Sequence, residues 1–173
     1  MKTNPRAGYT LAEVMVTVAI IGILFVVGPS LLTGMENFFL MTTARNNIQR
    51  DARQSLDVMN RFLRQAKAST IVISSPPFGT TGGPYSQIAF QLPDGRTMRF
   101  YQYGRNLMQS TTSTNGAITT QTIANDLAYL AFSFPRTDDP TIVSVALTMS
   151  SNIQLGQTKV LELTVQKVRI MNS

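Results

Sequence analysis

The sequence contains no histidine and no cysteine, and only 14% of its 173 residues are charged. These absences remove imidazole acid–base chemistry, thiolate nucleophiles, His/Cys zinc sites and disulfide staples. The 43% hydrophobic content excludes a disordered chain, because it can bury a core large enough to outweigh chain entropy. The length suits one domain of ordinary size with an appendage and is too short for two enzyme domains. A formal charge of +6 admits nucleic acid or an anionic membrane surface as partners and requires neither.

The distribution of apolar residues is more informative than their total. Between Arg6 and Glu36 the only charged side chain is Glu13, and residues 14–32 (VMVTVAIIGILFVVGPSLL) carry no charge. That length crosses a membrane, since a helix needs about 20 apolar residues to span the hydrocarbon. Gly28 and Pro29 interrupt it, one by weakening the helix and the other by removing a hydrogen bond, so a kink or local unwinding is expected there. A cleaved secretory signal would have a shorter apolar run and a small-x-small boundary after it, neither of which this sequence provides. A plain single-pass anchor fits better but leaves Glu13 unexplained. An acid at the membrane is expected to have a function and a partner; the alternative is a solvated position at the headgroup level.

Residues 35–68 contain no Gly or Pro, and Met41, Ala44, Ile48, Ala52, Leu56, Met59, Leu63 and Ala66 recur at steps of three or four, one apolar stripe. Arg45, Arg50, Asp51, Arg53, Asp57, Arg61, Arg64 and Lys67 fill most other positions, and a mixed-charge face of this kind reads first as a solvated one. After Pro76, Pro77 and the run up to Pro84 the period changes from helical to alternating. Residues 86–92 and 96–103, joined by Pro93-Asp94-Gly95, read as a hairpin, with a turn at Gly104-Arg105-Asn106. Residues 110–125, rich in Thr, Ser, Asn and Gln, read as an exposed loop with at most a short strand. Residues 127–134, 141–149 and 158–170 read as three further strands. The resulting fold class is α+β: an antiparallel sheet of four to six strands against the amphipathic half of a long N-terminal helix.

The opening MKTNPRAG followed by YTLAEVMVTVAIIGIL resembles the leader and first segment of the type IV pilin superfamily, which includes the pseudopilins of type II secretion. The resemblance implies a pilin-like fold and a division into leader (1–8), transmembrane and filament-core helix (9–34), amphipathic second half (35–68) and β head (69–173). It implies cutting after Gly8 by a prepilin peptidase and N-methylation of Tyr9, which stands where the family usually has Phe. Glu13 matches the family's acidic position, with a role in charge pairing between subunits, and Gly22 and Pro29 lie near its helix-loosening residues. The implied partners are other pilin or pseudopilin subunits, the peptidase and the bacterial inner membrane, crossed once with the head in the periplasm or outside the cell. The order of helix, DG turn, Tyr-rich strand, IANDLAYLAFSF and a long last strand also resembles the J-type minor pseudopilins and similar minor pilins, which implies a low-copy subunit at a filament tip. The absence of Cys departs from pilins with a disulfide-closed C-terminal loop.

Three classes of function follow. A structural filament subunit is favoured, with no cofactor, no metal and no catalytic residues of its own. A DNA-binding minor pilin of an uptake filament is an alternative, resting on Arg96, Arg99 and Arg105 around one hairpin and Lys159, Lys167 and Arg169 on the last strand; edge protection and solvation account for them as well. A plain membrane-anchored extracytoplasmic domain is the other alternative. An enzyme is disfavoured: Asp138 and Asp139 are adjacent, and an extended chain points neighbours to opposite sides, so they read as a turn or at most a weak calcium loop.

Overall fold

Thr10 and Glu13 open the molecule's one long helix, α1, which runs over Leu11–Gln65 in a computed structural model of the chain. The structure describes residues 8–76, 83–136, 138–152 and 159–172; the expected leader residues 1–7 and loop residues 77–82 lie outside these. The helix is continuous through Gly28 and Pro29, so the expected local unwinding is absent. Pro29 does leave the carbonyl of Phe25 without its usual donor four residues on. The chain divides into two units, Met1–Thr42 and Thr43–Ser173.

In the first unit the large apolar side chains from Tyr9 to Met41 are exposed. A window of this stretch has a mean hydropathy of 2.5 with none of it buried, so the helix is long and apolar enough to cross a membrane.

In the second unit the helix stripe becomes one wall of a core. Ile48, Ala52, Leu56, Met59 and Leu63 are buried, and Met41, the first member of the expected stripe, stays exposed. The helix ends at Gln65 rather than at Ala68. Lys67 is extended (φ −78°, ψ 118°) and its N–H donates to the Gln91 carbonyl at 2.9 Å, so the backbone joins the sheet; Ala68–Thr70 then forms a separate 3₁₀ turn.

Among the described residues eight strands follow: β1 Val72–Ser74, β2 Gln87–Gln91, β3 Thr97–Tyr103, β4 Asn106–Thr112, β5 Ile118–Ala124, β6 Leu127–Ser133, β7 Ile142–Asn152 and β8 Lys159–Arg169. They form two antiparallel sheets, β1-β2-β3-β4-β5 and β6-β7-β8, where one sheet of four to six strands is expected from the sequence. The expected hairpin is present, with Gln91 opposite Thr97 and Gly95 at φ 89°, a left-handed position suited to glycine. Asp94 steadies this turn by accepting from the Arg96 N–H at 3.0 Å. Its ion pair with the guanidinium holds the Asp94 carboxyl below its ordinary pKa.

The expected loop over 110–125 is instead the second half of β4 and the edge strand β5. Residues 118–122 are exposed and so lack the apolar alternation that marks a half-buried strand. Their β-branched threonines still favour an extended chain, and the register Thr112↔Ile118 to Leu107↔Ala124 satisfies the backbone. The ladder breaks after β5 because Asp126, at φ 61°, redirects the chain. Leu127 N–H donates to the Arg105 carbonyl at 2.8 Å and Ser150 N–H to the Asp126 carbonyl at 2.8 Å. Arg105 closes the seam by pairing with Asp126 at 2.8 Å and donating to the Ser150 carbonyl.

Both sheets face the helix stripe through one cluster that includes Ile88, Phe90, Phe100, Leu107, Leu130, Phe132, Val145 and Leu147. Phe100 lies 6.3 Å from Phe62 on the helix and 6.1 Å from Phe90, ring centre to ring centre. Each fully buried side chain of this size contributes roughly 1.5 to 3 kcal/mol. Replacement of fully buried Leu63 by Ala is expected to destabilise the head by about 2 to 5 kcal/mol in chemical denaturation of the detergent-solubilised chain. Leu24→Ala, at a site 64% exposed, should change it by less than about 0.5 kcal/mol.

Candidate processing and assembly site

The first turn of α1 is held by a reciprocal cap. Thr10 precedes the helix, and its hydroxyl accepts from the Glu13 N–H at 3.3 Å. The Glu13 carboxylate reaches back, its Oε2 accepting from the Thr10 N–H at 2.9 Å and the Thr10 hydroxyl at 3.0 Å. This is the Thr-x-x-Glu capping box, which satisfies amides that the helix itself leaves unpaired. The T-L-A-E spacing is the sequence signal for this cap. Both bonds use Oε2, so Oε1 keeps its acceptor capacity.

Gly8 and Tyr9 precede the helix as exposed, non-helical chain, with Tyr9 89% exposed. A Cβ built on Gly8 meets nothing within 4 Å. Neither space within the chain nor a left-handed backbone therefore demands glycine at this position, and any such demand must come from outside the chain. Tyr9, Glu13, Val14 and Thr17 line a shallow groove, which follows from the four-residue steps between three of them.

The remaining hydroxyls of the apolar stretch turn inward on the backbone. Thr17 donates to the carbonyls of Glu13 at 3.0 Å and Val14 at 2.8 Å. Ser30 donates to Val27 at 2.8 Å, and Thr33 to Pro29 at 3.1 Å and Ser30 at 3.0 Å. Such self-satisfaction is what hydrocarbon requires of polar groups. Glu13 is thus the exception on this stretch, an ionisable group with an oxygen to spare.

Two of the three cations around the hairpin are engaged by aspartates. Arg96 pairs with Asp94 at 2.6 Å and Arg105 with Asp126 at 2.8 Å, leaving Arg99 alone of the hairpin three without an acidic partner among the described residues. Lys167 and Arg169 are exposed on β8. The two acids of the TDDP turn also have separate local partners. Asp138 pairs with Arg136 at 2.9 Å, whereas Asp139 accepts from the Thr141 hydroxyl and N–H. Those two bonds, the hydroxyl first, hold the Asp139 carboxyl below its ordinary pKa.

Residues 3–28 match the family model of the prokaryotic N-terminal methylation motif. The chain therefore carries a prepilin segment of the type IV pilin kind, spanning Gly8, Tyr9, Glu13 and Gly28. None of the curated proteins compared with the chain matches it. Thr10→Val should remove one arm of the cap and raise amide exchange over residues 11–14 by about fivefold, read by hydrogen–deuterium exchange. Gly8→Ala should leave that exchange unchanged.

Proposed function

We propose that the chain is a minor pilin or pseudopilin: a structural subunit, at the tip or in low copy, of a type II secretion pseudopilus or type IV pilus. The prepilin peptidase cuts after Gly8 and Tyr9 is N-methylated. The apolar helix crosses the bacterial inner membrane once and places the head in the periplasm or outside the cell. The protein acts through packing, with no reaction of its own. The methylation motif at residues 3–28 supports processing and assembly with other pilin subunits. The finer assignment to a J-type subunit rests on the order of the helix, the DG turn and the terminal strand.

The observation that carries the reading is the Glu13 carboxylate, bound through one oxygen to its own helix cap on a stretch whose hydroxyls are satisfied locally. Hydrolysis of the Gly8–Tyr9 peptide bond makes a cationic amino group on Tyr9. Delivered by a neighbouring subunit, that group meets Glu13 Oε1, and two charges too costly to bury singly are buried together. Because only this register pairs them, helices that would otherwise slide along one another are fixed. The DNA-binding alternative is weakened by the engagement of Arg96 and Arg105 with aspartates, since phosphate contact needs clustered unpaired cations.

Glu13→Gln retains a side chain competent for the capping box and removes only the charge. It should leave cleavage intact while lowering cross-linking between subunits in membranes by at least about tenfold. Cross-linking equal to that of the unaltered chain would refute the pairing role.

A further inference from the structure

Strand β5 is held in one register although it buries little. Ile118 to Thr122 are exposed on both faces of the strand, Ile118 at 69%, so only its end, Ile123 and Ala124, reaches the core. The turn before it is built for that register. Gly116 takes φ 83°, a left-handed angle suited to glycine, and its N–H donates to the Ser113 carbonyl at 2.9 Å. Asn115 Oδ1 accepts from the Ala117 N–H at 3.0 Å. Two side-chain bonds then tie the strand to β4, from Gln121 Nε2 to Gln109 Oε1 at 3.2 Å and from the Thr120 hydroxyl to that of Ser110 at 3.4 Å.

The other side of β5 is an open edge of its sheet. The Ser113 N–H donates to the Ala117 carbonyl at 2.9 Å, and bonded and non-bonded pairs alternate along an antiparallel ladder. Thr119 and Gln121 therefore bond to β4, opposite Thr111 and Gln109, while the N–H and C=O groups of Ile118, Thr120 and Thr122 point away from it. These outward groups have no backbone partner among the described residues. Sheet edges are commonly blunted by charge, proline or a bulge. Strand β8, at an edge of the other sheet, carries the exposed cations Lys167 and Arg169. Strand β5 has neither charge nor proline, and its register shifts only beyond Thr122, so the stretch 118–122 is a regular, unprotected edge.

We propose that β5 pairs antiparallel with β5 of a second copy of the chain, about a two-fold axis at Thr120. In that register Thr120 faces its own counterpart and Ile118 faces the second copy's Thr122. All the outward groups named above are then bonded, in about six hydrogen bonds. The strand is self-complementary in two further respects. Its cross-strand pairs are threonine with threonine and isoleucine with threonine, both suited to a sheet surface, and with no charge on the strand no like charges meet. The contact is isologous and closes on two copies, which sets it apart from the repeating contacts of a filament, and the proposal does not depend on the filament reading.

The test is residue-resolved amide hydrogen–deuterium exchange of the full chain in detergent micelles, at about 1 and 100 μM protein. The amides of Ile118, Thr120 and Thr122 should exchange at least about tenfold more slowly at the higher concentration, and those of Thr119 and Gln121 should be protected at both. Thr120→Lys sets like charges against each other at the axis and should abolish the concentration dependence, with Thr119 and Gln121 still protected because the ladder to β4 is intact. An equimolar mixture of Thr120→Lys and Thr120→Glu should restore it, a rescue that association through the apolar helices does not produce. The proposal is overturned if the outward amides exchange alike at both concentrations, as they would if the edge received a strand of a different protein. It is equally overturned if Thr120→Lys leaves their protection unchanged or if the mixture fails to restore it.

Discussion

A helix in hydrocarbon must satisfy every polar group from within, because nothing around it can. The first unit of this chain obeys that constraint closely. Thr17, Ser30 and Thr33 bond to carbonyls of the same helix, and its first amides are capped by Thr10 and Glu13. What remains over residues 9–34 is one carboxylate oxygen of Glu13 and an exposed apolar surface. In the proposed filament the surface meets lipid or neighbouring helices and the oxygen meets a cation. The cap clarifies how one acid can do two things, since holding its own helix uses a single oxygen and leaves the other to a partner.

In the second unit the same helix is governed by the opposite rule, that apolar surface must leave water. The stripe from Ile48 to Leu63 is buried by two sheets rather than one. That division depends on a few polar groups. Asp126 takes a strained backbone angle, Arg105 binds it and the Ser150 carbonyl, and Gln102 fastens β6 to the end of β3.

What the sequence made legible follows from which signals are periodic. The apolar run, the stripe at steps of three and four, and the alternating strands over 141–149 and 158–170 each repeat often enough to identify an element, and the DG turn marks the hairpin. Three features lacked such a signal. Strand β5 is exposed and polar, so it pairs through its backbone without advertising an apolar face. The end of the helix is set by a hydrogen bond from Lys67 to Gln91, distant in sequence. The split into two sheets turns on the left-handed angle at Asp126, which no local pattern announces. At the site, Gly8, Tyr9 and Glu13 were legible by resemblance, whereas the Thr10 cap was legible from spacing alone.

On the proposed function the N-terminal segment is a processing and assembly device rather than a simple anchor. It is tested most directly by the intact mass and N-terminal sequence of the protein from membranes, expressed with and without a prepilin peptidase. The expected product is a chain beginning at N-methylated Tyr9 only when the peptidase is present. A chain that keeps residues 1–8 with the peptidase active, or one cut beyond residue 32, would contradict it.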